Sequence, residues 1–362
     1  MSAPTGCATY DRPMARASHT CDDHGDAAPG RSVRRRGRLL ASSLVLAVAA
    51  AGLAGCSHES LVPSSSQIVY ATLGSIDANP SNKVAVVSSA SGATAKPFTV
   101  GTLPSGLVLE PGAGHLLVTV KAENSLVEVD TSTGKISRHV TVGLEPDAVA
   151  LTPDGSLALV ADFGDATLTV VRISNFSVVT RVPVGRQPVS VAITPDAKSA
   201  LVACYQDGTL NPVALPSFVP GPPVPVGPAP LDVHITSDGR TALVAGFQTS
   251  TVIPVALPSL RPEVPLAMGF NPTDIDSLAN APIAWVSGGN AIAPITVATR
   301  AVGPAIDIGG PAECVAALPG AEWVCRGDGS LVEIDATSGK IVKRVNVGGI
   351  PSHAVISPAV PL

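Results

Sequence analysis

The sequence predicts an all-β protein made of seven similar units in a ring, and three observations support this prediction. Proline recurs at a constant interval, at positions 104, 146, 188, 230 and 272. Each unit reads as four short apolar runs separated by turn residues, and no helical period is sustained after position 55. The chain is 45% hydrophobic but only 3% aromatic, which suits short strands rich in valine and alanine.

A second recurring feature gives the number of units. An apolar residue followed by glycine stands just before each recurring proline, and this pair occurs twice more, at slightly shorter intervals. The seven glycines are Gly101, Gly143, Gly185, Gly227, Gly269, Gly309 and Gly348. A repeat of this length with four strands is typical of one blade of a β-propeller. We therefore predict a seven-bladed β-propeller with four antiparallel strands per blade, covering residues 67–362.

The two ends of this region predict how the ring closes. The last unit holds a single strand, in residues 351–358, whereas the opening segment holds three strands, in residues 67–72, 83–88 and 96–100. Joining them completes one blade and removes two exposed sheet edges. We expect the C-terminal strand to join the N-terminal blade.

The N-terminal segment, residues 1–66, reads as an export signal with its surroundings. Residues 33–55 combine an arginine-rich start with an apolar run that is too short to span a bilayer. They end in Leu53-Ala54-Gly55, followed by Cys56, which resembles the lipobox of bacterial lipoproteins. That resemblance implies cleavage before Cys56 and a diacylglycerol on its thiol; the alternative is an ordinary secretory peptide. We interpret residues 1–32 as disordered or wrongly assigned upstream sequence, and residues 56–66 as a linker.

The innermost strand of each unit begins at the recurring proline, so equivalent positions can be compared between units. Counting from Pro311 and Pro351 in the last two units, the third residue of each strand reads Gly106, Ala148, Ser190, Asp232, Asp274, Glu313 and His353. Two positions further along, the same face adds His234 and Asp276. The six charged or imidazole side chains fall in four consecutive units, so we expect them on one side of the central channel. They could bind a divalent cation or an amine- or hydroxyl-bearing ligand; the alternative is a solvated channel rim.

Two cysteines predict a disulfide bond. Cys314 and Cys325 flank the turn residues Pro319-Gly320, so they would lie opposite each other on paired strands. An exported protein meets oxidising conditions, which favours a disulfide over two buried thiols. Cys204 stands alone and is interpreted as a packing residue.

The repeats resemble the YVTN family of seven-bladed propellers across residues 66–362. The matching motifs are proline-x-x-Val-Ala-Ile-Thr-Pro-Asp in 188–196, Ala-Leu-Val-Ala in 200–203, and Asp-x-x-x-Gly-Lys in 130–135 and 335–340. The tyrosine and asparagine that give the family its name are absent from the equivalent runs 158–162, 242–246 and 322–326. The resemblance therefore implies the fold, but no inherited function.

These observations predict a lipid-anchored module on the outer face of the cytoplasmic membrane or in the cell envelope. A net charge of −5 without a basic excess excludes nucleic acid as the main partner. We expect a monomer that binds or scaffolds a protein or small ligand without catalysis and without a cofactor, although a divalent cation could bind. The alternative, for which the repeat family offers relatives, is a lactonase-like or quinoprotein-dehydrogenase-like enzyme that uses the channel residues.

Overall fold

The structure is a computed structural model that describes residues 67–74 and 81–357. The predictions for the upstream sequence (1–32), the signal peptide (33–55), the lipidated Cys56 and the linker (56–66) lie outside the described residues. The described residues form seven antiparallel sheets, and the innermost strand of each sheet contacts the innermost strands of the sheets on either side. The seven-bladed β-propeller is therefore confirmed.

Within each blade the strands run from the innermost outward in chain order, except that the innermost strand of blade 1 is the last strand of the chain. Blade 1 contains β31 (Pro351–Ile356), β1 (Ile68–Leu73), β2 (Lys83–Ser88) and β3 (Phe98–Thr99). Blade 2 contains β4 (Pro104–Leu109), β5 (His115–Val120), β6 (Ser125–Asp130) and β7 (Lys135–Thr141), with a 3-10 turn at Lys121–Glu123. Blade 3 contains β8 (Pro146–Leu151), β9 (Leu157–Asp162), β10 (Thr167–Arg172) and β11 (Ser177–Pro183).

Blades 4, 5 and 6 have an outer strand in two short pieces. Blade 4 contains β12 (Pro188–Ile193), β13 (Ser199–Cys204), β14 (Thr209–Ala214), β15 (Val219–Pro220) and β16 (Val224–Pro225). Blade 5 contains β17 (Pro230–Ile235), β18 (Thr241–Gly246), β19 (Thr251–Ala256), β20 (Arg261–Pro262) and β21 (Leu266–Ala267). Blade 6 contains β22 (Pro272–Asp276), β23 (Ile283–Gly288), β24 (Ala291–Thr296), β25 (Ala301–Val302) and β26 (Ile306–Asp307). Blade 7 contains β27 (Ala312–Leu318), β28 (Ala321–Arg326), β29 (Ser330–Asp335) and β30 (Lys340–Asn346).

The split outer strands have a local cause in the third strand. At the same position of β14, β19 and β24 stand Pro212, Pro254 and Pro294, which have no N–H to offer the outer strand. The proline carbonyls still accept hydrogen bonds from Gly221, Glu263 and Gly303, at 2.7–2.8 Å. The outer strand therefore stays attached at both ends but is interrupted in the middle.

The core lies between blades rather than within them. Each of the seven buried apolar clusters draws its side chains from two successive blades, so both faces of every sheet are covered. This explains why second strands such as β9 and β13 are continuous apolar runs without polar alternation. Among the described residues, no helix has the length and apolar character that crossing a bilayer requires.

The ring closes as predicted, through strands from the two ends of the chain. β31 pairs antiparallel with β1, from Val69 opposite Ile356 to Leu73 opposite Pro351. The Ile68 N–H donates to Ser357 Oγ, and the Ser357 N–H donates to the Ile68 carbonyl, both at 2.8 Å. The C-terminal strand is thus the innermost strand of blade 1.

Candidate functional site

A β-bulge near the start of the innermost strand decides which side chains face the following blade. In blade 5, Pro230 pairs with Gly246 and Asp232 pairs with Ala245, so Leu231 is the extra residue. Asp232, the residue after the bulge, faces the next blade near the channel. Val233, one position further on, packs against blade 4, the preceding blade. Position along this strand therefore determines which joint between blades a side chain occupies.

Four of the six predicted site residues lie on two neighbouring innermost strands. Asp232 and His234 are on β17, and Asp274 and Asp276 are on β22. All four are half-buried. We call these four residues the acidic cluster.

The aspartates of the acidic cluster tie successive blades together. Asp232 accepts hydrogen bonds from Ser190 Oγ of blade 4 at 2.7 Å and from the Ile275 N–H of blade 6 at 3.0 Å. Asp274 and Asp276 accept the N–H groups of Val315 and Ala317 in blade 7, at 2.9 and 2.8 Å. The innermost strand is a sheet edge with N–H groups that its own sheet does not pair, and the aspartates satisfy them. These side chains thus join neighbouring blades, a structural role that comparison of the repeats did not predict.

His234 lies within the same cluster. Its Nε2 is 2.7 Å from Ser277 Oγ, and its Nδ1 is 4.0 Å from Asp276 Oδ1. The side chains of His234 and Asp276 are 19% and 37% exposed, so a ligand in the channel can reach both. Asp276 Oδ1 also accepts the Ser277 N–H at 2.8 Å.

Burial shifts the proton equilibria of the acidic cluster towards neutral forms. Loss of hydration is the larger cause, and repulsion from Asp274 the smaller one, that raises the pKa of Asp232 to about 7. Loss of hydration raises the pKa of Asp276 to about 6, although its backbone hydrogen bonds oppose the shift. The same loss of hydration lowers the pKa of His234. Asp232 and Asp276 therefore titrate closer to neutral pH than ordinary surface carboxylates do.

The other two predicted site residues do not belong to the acidic cluster. In blade 7, Ala312 pairs with Arg326 and Cys314 pairs with Cys325, so Ala312, and not Pro311, takes the place of the recurring proline. The position assigned to Glu313 is therefore wrong by one residue: Glu313 is the bulge residue, and Cys314 faces the following blade. His353 lies on β31 opposite Thr72 in blade 1, beyond blade 7.

Sequence comparison of the innermost strands missed a buried carboxyl group beside the acidic cluster. Glu322 lies on β28 opposite Ala317, and only 3% of it is exposed. Loss of hydration, with a smaller contribution from the charge of Asp276, raises the pKa of Glu322 to about 9, so its carboxyl group is neutral at pH 7. A charged residue at the second position of this strand, where the other blades have alanine, leucine or valine, could have revealed it.

The acidic cluster does not form a close set of metal ligands. Among the described residues, one group of at least three His, Cys, Asp or Glu side chains brings its ligand atoms within 4.8 Å of one another, and it is Glu110, His115 and Glu128. These residues lie in blade 2, away from the acidic cluster.

The cysteine pair and its neighbour Arg326 are held in the interior of blade 7. Cys314 pairs with Cys325 across β27 and β28, and a disulfide bond joins their sulfur atoms. Cys204 is a buried free thiol, and burial raises its pKa to about 12.

Arg326 is 3% exposed and forms an ion pair with Asp328 at 2.9 Å, so the Arg-Gly-Asp tripeptide at 326–328 does not present its guanidinium to solvent.

Comparison with known proteins identifies the fold and no family. Neither a protein-family model nor a curated protein sequence matches the chain. A functionally unknown protein from Desulfotomaculum acetoxidans is similar with a TM-score of 0.70 and 14% identity, over 82% of this chain and 99% of that one. The apo form of AztD from Citrobacter koseri has a TM-score of 0.62 and 11% identity, over 81% and 98%. Hydrazine synthase from Kuenenia stuttgartiensis has a TM-score of 0.61 and 18% identity, over 69% and 88%. These structural similarities support a propeller module, but they do not indicate a specific function.

Proposed function

We propose that the protein is an exported, lipid-anchored propeller of the YVTN-repeat type that acts as a non-catalytic binding module. Its acidic cluster receives an amine-bearing group of a small ligand or of a partner protein. The observation that carries this proposal is the partial exposure of Asp276 and His234 beside Asp232, with pKa values of about 6 for Asp276 and about 7 for Asp232.

The chemistry of the cluster favours a donor-bearing, positively charged ligand. Each oxygen that accepts one backbone N–H keeps a second lone pair, and an ionised carboxylate can only accept hydrogen bonds. In blades 2, 3 and 4 the equivalent positions are the uncharged Gly106, Ala148 and Ser190. An ammonium group gains charge-assisted hydrogen bonds on the acidic side alone.

The distances among the cluster residues favour binding over metal-dependent hydrolysis. A lactonase-like reaction at this site would use the carboxylates and His234 to hold a divalent metal and activate water. The close set of ligand atoms in the described residues lies instead in blade 2. The aspartates of the cluster are engaged in holding neighbouring blades together.

Spermidine, a small polyamine, is a suitable probe for the cluster, and isothermal titration calorimetry measures its binding. We expect saturable binding by the parent protein and binding weaker by about tenfold in Asp276→Asn, which removes one full charge contact. The exposed Glu145→Gln makes the same charge change elsewhere and should leave the affinity unchanged. Because the pKa values of Asp276 and Asp232 are about 6 and 7, affinity should rise between pH 5 and pH 8 as the carboxylates ionise. Absence of saturable binding, or equal binding by Asp276→Asn, would contradict the ligand class.

Lipid anchoring has a separate test, at Cys56. The parent protein expressed in a bacterial host should incorporate radiolabelled palmitate and sediment with membranes, because a diacylated thiol holds a protein at the bilayer surface. Cys56→Ala should lose both the label and the sedimentation, whereas Cys204→Ala should keep them. Labelling that survives Cys56→Ala would contradict the anchor and leave the channel proposal untouched.

A further inference from the structure

We propose that Glu110, His115 and Glu128 of blade 2 form a binding site for one divalent transition-metal ion of the Zn²⁺ type. The proposal is independent of the acidic cluster, which lies in other blades. The three residues come from the end of β4, the start of β5 and the middle of β6, and their ligand atoms lie within 4.8 Å of one another.

The distances and ligand types suit such an ion. Glu110 Oε2 lies 3.6 Å from His115 Nδ1. Zinc binds nitrogen and carboxylate oxygen at about 2.0–2.2 Å, so two ligands of one ion lie up to about 4.4 Å apart. One imidazole and two carboxylates form a mixed nitrogen and oxygen set, which suits Zn²⁺ and similar ions better than Mg²⁺ or Ca²⁺.

The two carboxylates of the site are largely buried, whereas its histidine is accessible to solvent. The side chains of Glu128 and Glu110 are 3% and 14% exposed, whereas that of His115 is 42% exposed, so an ion can enter past the imidazole. Glu110 Oε1 is buried and has no hydrogen-bond partner among the described residues. A buried carboxylate oxygen without a donor is costly, and a cation would satisfy it.

Electrostatics within the group leave room for a cation. Loss of hydration, followed by repulsion from Glu128, raises the pKa of Glu110. Arg138 donates from Nε to Glu128 Oε2 at 2.7 Å and from Nη2 to Oε1, and Ser137 Oγ donates to Oε2 at 2.6 Å. These bonds orient Glu128 and leave Oε1 a free lone pair, as hydrogen-bond donors do for carboxylates that bind metals. The two carboxylates and one guanidinium together carry a net charge of −1.

Comparison with the sibling blades shows that folding does not require this group. At the position of Glu110, one, two and three repeats further on, stand Thr152, Thr194 and Thr236. Each threonine hydroxyl donates to an aspartate two positions later, at 2.6–2.7 Å, and accepts the N–H of the next strand's first residue. Among these four blades, only blade 2 lacks this threonine and its hydrogen bonds. It has a glutamate instead, whose carboxylate lies near His115 and Glu128. The substitution gives up a local hydrogen bond and gains a potential ligand.

The sibling blades also supply the variants for the test. Glu110→Thr with His115→Leu installs the residues that blade 3 has at these positions, Thr152 and Leu157, so the hairpin should still form. His139→Leu is the control, because His139 is an exposed histidine of the same blade outside the group. Circular dichroism and thermal unfolding establish that all three proteins are folded.

The probe is Co²⁺, followed by Zn²⁺ in competition, with metal-free full-length protein. We expect one equivalent of Co²⁺ to give visible d–d absorption, and one equivalent of Zn²⁺ to abolish it. The double variant should lose this absorption or weaken Co²⁺ binding by about tenfold or more, while His139→Leu should match the parent. Zn²⁺ should raise the melting temperature of the parent but not of the double variant, since a ligand that binds the native state stabilises it. Absence of a spectrum in the parent, its retention in the double variant, or its loss in His139→Leu would each overturn the proposal.

Discussion

Two joints between blades use aspartate in different ways. Between blades 2 and 3, Asp147 accepts a hydrogen bond from Ser105 Oγ at 2.5 Å and forms an ion pair with Lys121 at 2.9 Å. Between blades 5 and 6, Asp232 accepts a backbone N–H and a hydroxyl, and within the described residues no lysine or arginine lies within ion-pair distance of it. The first joint is electrically compensated and the second is not. At the second joint, burial raises the pKa of Asp232 to about 7, and this uncompensated carboxylate can gain from a cation once it is ionised.

The largest expected effect in this comparison comes from removing the uncompensated aspartate. Asp232→Ala leaves the Ile275 N–H and the Ser190 hydroxyl without their acceptor, and the cost should be about 2 kcal/mol in the free energy of unfolding. For a protein of this size that corresponds to a fall in melting temperature of about 3 °C. Thermal unfolding at pH 4 measures it, because the cost of ionising the buried carboxyl group, which the variant would remove, is small there. An unchanged melting temperature would show that channel water replaces the carboxylate.

An effect of opposite sign should follow from neutralising Glu322. The pKa of this residue is about 9 in the folded protein and near its usual 4.5 in the unfolded chain, so the folded state holds more protons between these values. Stability is therefore present below about pH 4.5 and is lost as pH rises towards 9. Glu322→Gln stays neutral throughout and should melt several degrees higher than the parent at pH 9, with little difference at pH 4. Parallel pH profiles of the two proteins would contradict the raised pKa.

The smallest effect is expected at the compensated joint. Ser105→Ala removes the hydroxyl from Asp147, but Lys121 stays at 2.9 Å from the same oxygen. The cost should be below about 1 kcal/mol, since a second partner keeps the carboxylate satisfied. Chemical denaturation of this variant beside Asp232→Ala compares the joints directly. A loss as large as that of Asp232→Ala would mean that the lysine contributes nothing to the first joint.

The fold could be predicted from the sequence because the blades repeat the same pattern of strands and turns. Proline and apolar-glycine corners recur at a regular interval, and apolar second strands follow from burial on both faces. Ring closure followed from counting strands at the two ends. Each of these features is local or periodic, so one chain displays several copies of it.

The site was harder to predict because it depends on one-residue details of register. Shorter units near the end of the chain displaced the count by one residue at Glu313, and the β-bulge gave Asp147, directly after Pro146, a role that counting from the third residue did not reveal. Distances across strands are a further obstacle: Glu110, His115 and Glu128 are brought together by pairing of three strands. Their one visible signal is the departure of Glu110 from the threonine of three sibling units.

The closing seam of blade 1 makes the order of the blades along the chain arbitrary. Ile68 and Ser357 are hydrogen-bonded neighbours, so a short peptide could join them covalently while new ends are opened in a linker between two other blades. A circular permutant begun at residue 186, for example, would contain the same seven interfaces and would move the non-covalent closure to the joint between blades 3 and 4. The molecule can therefore present an attached tether from different points around its circumference.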